Sequence, residues 1–154
     1  MALQMQRPKY KTVQISKTVK LKSGLEEAIY KFLLSKDVLF SYETLKISFD
    51  QPTQKRTYTP DFPIKYSFIV EGKGSFNSAD RKKHKLVKQQ HPKYDIRFIF
   101  SNAKTKIGKK SKTTYGMWCD LFGFKYHCIQ STKKYLPDNW LKEIKEKQNG
   151  KKIN

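Results

Sequence analysis

Carboxylates are scarce in this 154-residue sequence: 13 Asp and Glu stand against 33 Lys and Arg, leaving a formal net charge of +20. A merely solvated surface needs both signs of charge. So unbalanced a field instead draws in polyanions, at rates that depend on salt, and nucleic acid is the expected partner. Ribosomal proteins and DNA enzymes share the imbalance, so it leaves the activity open. Cysteine is also sparse. Cys119 and Cys128 form no CxxC pair, and His84, His91 and His127 do not fall at ligand spacing with them, so structural zinc is not expected. Two free thiols suit a reducing compartment. No apolar run reaches eighteen residues, which excludes a transmembrane helix. The first apolar residues are scattered among Gln6, Arg7, Lys9 and Lys11, unlike a signal peptide, and no segment reads as a basic amphipathic helix for a membrane surface. The expectation is a soluble cytoplasmic protein with no membrane partner and no organic cofactor.

What is present is enough apolar and aromatic sequence, 37% and 14%, for one core in a chain too short for two ordinary domains. Residues 1–22 are polar, basic and aperiodic and read as a flexible arm. Residues 23–147 form the domain, and 148–154 are a basic tail. Leu25, Ile29, Phe32 and Leu33 recur at helical spacing from Ser23 to about Lys36. Alternation predicts a strand over 38–49, a connector over 50–54, β-rich sequence over 57–62 and another strand over 64–71. A helix starting at Ser78 or Asp80 and ended by Pro92, a buried strand over 94–100 and a lysine-rich loop over 101–112 follow. Helix over 113–122, strand over 124–129 and helix over 137–147 complete an α/β domain with a mixed sheet.

The residues that carry chemistry are Pro60-Asp61 and Glu71-Gly72-Lys73. In a strand, Glu71 and Lys73 project to one face. If the flanking segments pair as a hairpin, Asp61 and Glu71 come within reach of one ion. Phosphodiester hydrolysis uses such a set: carboxylates hold Mg²⁺, the ion generates hydroxide and steadies the leaving oxygen, and a lysine orients water or neutralises the phosphorane. The bland alternative has Asp61 capping a turn and Glu71 paired with Lys73 on a solvated strand. Glu26 is likewise open, since Ser23-x-x-Glu26 is a capping box, while its place beside the apolar stripe also suits a ligand. Candidate phosphate contacts are Lys17, Lys20 and Lys22 in the arm, Arg81, Lys82 and Lys83 at a helix start, and Lys104, Lys106, Lys109, Lys110 and Lys112 in the loop. Five lysines crowded into one loop have no reason to cluster without a polyanion.

Taken together, Ser23-Gly24-Leu25-Glu26, Tyr58-Thr59-Pro60-Asp61-Phe62 and Val70-Glu71-Gly72-Lys73-Gly74 resemble the phage endonuclease I family of Holliday-junction resolvases. Asp80-Arg81-Lys82-Lys83-His84, Gln90-His91-Pro92, Asp95-Ile96-Arg97, Thr105-Lys106, Tyr115-Gly116 and Pro137-x-x-Trp140 continue the likeness in order, over roughly residues 17–145. The resemblance implies a PD-(D/E)xK, restriction-endonuclease-like fold: a mixed sheet flanked by helices, in a homodimer that exchanges elements. Residues 23–49 would be exchanged across a bridge at 50–55, with Glu26 from one subunit and Asp61, Glu71 and Lys73 from the other. It further implies Mg²⁺ or Mn²⁺, two per site, the Gly72 backbone carbonyl as an additional ligand, 5′-phosphate products, and four-way or branched DNA as substrate. Such an enzyme would serve phage recombination, debranching and host-DNA breakdown in the host cytoplasm. Gly72 stands where the family carries Thr, and Ser41 where relatives carry an acid, which weakens the case for a further carboxylate at that position. A PD-(D/E)xK enzyme cutting linear duplex and a non-catalytic basic binding protein remain the alternatives.

Overall fold

The computed structural model describes residues 21–64 and 67–150; Lys17 and Lys20 therefore lie outside the described residues. A helix, α1 (Gly24–Ser35), opens the described chain. Its start is fixed by Ser23, whose hydroxyl accepts from the Glu26 amide, and its stripe of Ile29, Tyr30 and Leu33 is buried. Two short antiparallel strands follow, β1 (Ile47–Gln51) and β2 (Gln54–Tyr58). They form a hairpin of their own, apart from the main sheet. That sheet has the order β3 (Phe62–Ile64), β4 (Phe68–Lys73), β5 (Asp95–Phe100), β6 (Lys125–Cys128). The β3–β4 pair is antiparallel, and β4, β5 and β6 run parallel.

The helices α2 (Ser78–Gln90) and α3 (Tyr115–Phe122) are the crossovers that parallel strands require. With the β1–β2 hairpin they cover the sheet face carrying Ile69, Phe98 and Phe100. The other face, with Phe68, Val70 and Ile99, is covered by α1 and by α5 (Asp138–Gln148) through Trp140 and Ile144. A short helix, α4 (Ile129–Thr132), links β6 to the segment before α5. Burial on both faces is why β5 reads as near-continuous apolar sequence. Its one charged interior residue, Arg97, is 1% exposed and held by Asp95 and Glu143 at 2.6 and 2.7 Å. Those two carboxyls sit below their ordinary range because, against the opposing effect of partial burial, each accepts hydrogen bonds from the guanidinium. Gly116 in α3 has its own packing reason: a Cβ there would lie 2.7 Å from the Tyr126 ring.

Three expectations about the elements are corrected. The alternation over 38–49 is not one strand: Phe40 makes only an isolated bridge to Ile64, and the ladder begins at Ile47. Left-handed backbone at Glu43, φ 47°, interrupts it. The connector over 50–54 is the tight turn of the β1–β2 hairpin, with Thr53 at φ 83°. The stretch 64–71 is divided between two antiparallel strands, β3 and β4. The mixed α/β sheet with flanking helices is as expected. No helix among the described residues is long and apolar enough to cross a membrane.

Candidate active site

The register of the β3–β4 pair sets the site. Phe62 lies opposite Val70, so Asp61 comes beside Glu71 at the sheet edge. The Asp61 amide donates to Glu71 Oε2 at 3.2 Å, and Asp61 Oδ2 accepts from the Gly72 amide at 3.1 Å. Glu71 is 2% exposed. Its Oε2 also accepts from the Tyr58 hydroxyl at 2.7 Å, while its Oε1 faces Lys73 Nζ at 3.5 Å and His84 Nε2 at 3.9 Å. Glu71 and Lys73 do share a face, as strand geometry requires. Lys73 Nζ reaches Asp80 in the first turn of α2 as well, at 3.6 Å. Burial works against charge on Lys73, but Glu71, Asp80 and Asp61 more than offset it and hold the ammonium above its ordinary pKa.

Glu26 approaches the same edge from α1. Its backbone amide is capped by Ser23, whose hydroxyl also donates to Glu26 Oε1 at 3.2 Å. Its Oε2 takes the Tyr42 hydroxyl. The cap thus runs through the serine side chain, and the carboxylate remains turned toward the site. Sequence reasoning missed Glu43 here. One oxygen each from Glu26, Glu43 and Asp61 lie within 4.8 Å of one another. Glu43 is brought in by its left-handed backbone, with its amide donating to the Asp61 carbonyl at 3.1 Å. Alternation had placed it unremarkably in a strand, and nothing local in the sequence marks a break there. Lys22, expected among the phosphate contacts, pairs with Glu43 at 2.7 Å.

The electrostatics of this cluster are lopsided. Burial first, then the negative charges of Glu71 and Glu26, push the Asp61 carboxyl up to about 8, although Lys73 and the Gly72 amide pull the other way. Three carboxylates converge on a part-buried spot where the described cations are Lys22 on Glu43 and Lys73 acting on Asp61, and all the donors are oxygen. That set fits a hard divalent cation, which would relieve the repulsion. Gly72 contributes its amide to Asp61, and its Cα is covered by α1: a Cβ there would lie 2.8 Å from the Ile29 terminal methyl. His84 is buried behind Glu71 with neither ring nitrogen hydrogen-bonded. Burial, with Lys73 and Lys83 nearby, keeps it neutral, its pKa well below the usual value.

The remaining cationic candidates divide between the start of α2 and the loop after β5. Lys83 pairs with Asp80 at 3.5 Å and lies over the Tyr58 ring, Arg81 donates to the Phe76 carbonyl at 2.5 Å, and Lys82 is exposed. Lys104, Lys106, Lys109, Lys110 and Lys112 are all exposed, and among the described residues none pairs with a carboxylate.

Comparison with known proteins gives a consistent result. A family model described as Phage endonuclease I matches residues 5–154. The chain is 42% identical over 132 residues to Endonuclease I of Escherichia phage T7, covering 86% of this chain and 85% of that protein. It is 41% identical over 125 residues to Endodeoxyribonuclease 1 of Enterobacteria phage T3, covering 81% of this chain and 79% of the relative.

Proposed function

Because the chain belongs to the phage endonuclease I family, we propose that it is a structure-selective endodeoxyribonuclease that resolves four-way and branched DNA junctions by metal-dependent hydrolysis. The observation that carries this reading is the convergence of Glu26, Glu43 and Asp61 within 4.8 Å, tied through Asp61 to Glu71 beside Lys73. Glu26, Glu43, Asp61 and Glu71 would hold Mg²⁺ or Mn²⁺, two ions per site, with the Gly72 carbonyl as a further ligand. When bound, such ions supply hydroxide at neutral pH and neutralise charge on the leaving oxygen.

The chain's own groups do the rest. Tyr58 and the Asp61 amide occupy Glu71 Oε2 and so fix the carboxylate with Oε1 turned to Lys73. The Lys73 ammonium, kept charged by its acidic neighbours, stands ready to meet a non-bridging phosphate oxygen as negative charge grows there. Attack by water at phosphorus and departure of the 3′ oxygen leave a 5′-phosphate. Arg81, Lys82, Lys83 and the Lys104–Lys112 loop would contact backbone phosphates, which position DNA by shape rather than by base sequence. Lys17, Lys20 and Lys22 would extend that contact, Lys22 by leaving Glu43 once a cation takes its place.

A four-way junction needs two symmetrical nicks, which suits a two-fold dimer. The proposed dimer exchanges residues 23–49, with the Pro52–Thr53 turn opening into the bridge. Within one chain α1 lies over Gly72 of its own β4, and exchange would make the same contact with the partner. The deciding experiment compares Mg²⁺-dependent cleavage of a four-way junction with that of a matched linear duplex. Preferential junction cutting is expected. Equal cutting would favour a linear-duplex enzyme, and binding without scission under any divalent ion would favour a non-catalytic protein. Glu71→Ala should bind junctions with near-normal affinity yet cut them at least about a hundredfold slower; retained cutting would remove Glu71 from the site.

A further inference from the structure

At the end of the sheet remote from the reaction centre lies a cleft of about 640 Å³, between the second half of α2 and the turn from α3 into β6. Four lysines line it: Lys85, Lys88, Lys93 and Lys125. Two are held in place by the fold. Lys85 Nζ rests 4.1 Å from the centre of the Phe122 ring, and Lys88 Nζ rests 4.5 Å from that of Phe124 while also donating to the Gly123 carbonyl. An ammonium has three protons, so each retains donors for a further acceptor. The one acid in the lining, Asp95, is already engaged by Arg97 at 2.6 Å. Among the described residues no carboxylate pairs with Lys85 or Lys88, while Lys125 lies near enough to Asp95 to help hold its carboxyl down; two preorganised, unanswered cations are the arrangement that receives phosphate.

Its position says which phosphate. The first turn of α2 touches the reaction centre through Asp80 and Lys73, and the exposed ridge of the helix carries Lys82 and then Lys85 toward the cleft. Lys85 and Lys88 lie five and eight helical residues beyond Asp80, about 8 and 12 Å along the axis, the axial length of about two to four base pairs. We propose that this cleft is a second backbone-binding site, gripping phosphates of the substrate DNA about two to four base pairs from the scissile bond. The inference rests on the nuclease reading for what DNA is bound, and names a contact outside the reaction centre and outside the loop lysines.

The test is a binding cycle without divalent ion, using a four-way junction in which a neutral methylphosphonate is walked along the strand. Lys85→Gln/Lys88→Gln should bind the unmodified junction about tenfold more weakly, with a salt slope shallower by about two. A methylphosphonate about two to four positions from the reaction centre should weaken the natural chain several-fold and the double variant no further. The exposed rim pair Lys93→Gln/Lys125→Gln, which anchors no carbonyl, should show the same non-additivity if the first variant folds poorly. Unchanged affinity, or losses that add at every position, would overturn the assignment. So would calorimetric binding of a nucleoside monophosphate that the double variant abolishes while its junction affinity stays intact. Because binding is read without cleavage, a chain that never cuts DNA would sink the nuclease reading while the cycle still decides the cleft.

Discussion

Asp61→Asn should make the metal-free protein more stable at alkaline pH, although it removes a residue of the proposed reaction centre. The Asp61 carboxyl is pushed up to about 8 in the folded chain, first by burial and then by Glu71 and Glu26, from an ordinary value of 3.8. A raised folded value means that the folded state holds its proton more tightly than the unfolded chain. Its contribution is therefore fully present below about pH 4 and is lost as pH rises toward about 8. Four pH units correspond to on the order of 5 kcal/mol at about 1.36 kcal/mol per unit. A small domain has only about 5–15 kcal/mol in total, so the metal-free chain should be marginal at pH 9. Asparagine keeps an oxygen for the Gly72 amide and carries no charge. Urea unfolding in a chelator at several pH values reads the difference: the natural chain should weaken by several kcal/mol between pH 5 and 9, and the variant should stay nearly level. Excess Mg²⁺ should restore the natural chain at pH 9 and do little for the variant. Parallel pH profiles for the two proteins would refute the claim that unrelieved carboxylate repulsion is built into this site.

Two further outcomes follow from the same geometry. Glu43→Gln should lower Mg²⁺ or Mn²⁺ affinity about tenfold by calorimetry, and an unchanged affinity would return Glu43 to the role of a surface partner for Lys22. If residues 23–49 are exchanged between subunits, mixing refolded Glu26→Gln and Glu71→Ala chains should restore junction cutting, because one of the two sites in a mixed dimer would be intact. No restoration in verified mixed dimers would place all four residues in one chain.

Much of the candidate site's arrangement was legible because its acids and lysine lie in short segments with strong local geometry. Glu71 and Lys73 sit two apart in a strand, so strand periodicity alone puts them on one face, and the pairing of Phe62 with Val70 brings Asp61 alongside. The Ser23 cap at Glu26 was likewise readable from spacing. Glu43 was not, because its placement depends on a left-handed turn inside an alternating stretch and on an amide bond to the Asp61 carbonyl. Tyr58 and His84 fall in the motifs that carry the family resemblance, but their place around Glu71 was not readable, for the same kind of reason: their neighbours are set by how α2 and the hairpin dock on the sheet.

By itself, then, the sequence determined the sign of the partner through its charge, the α/β alternation through its two periodicities, and the residue types a hard cation would need. Periodicity and composition act over a few residues or over the whole chain, and both can be read along a line. Tertiary structure decided which acids converge, how far burial and like charge raise Asp61, and that Lys85 and Lys88 are pinned on aromatic rings beside a lysine-lined cleft. Those are properties of distance and dielectric between segments far apart in the chain, and only packing sets them.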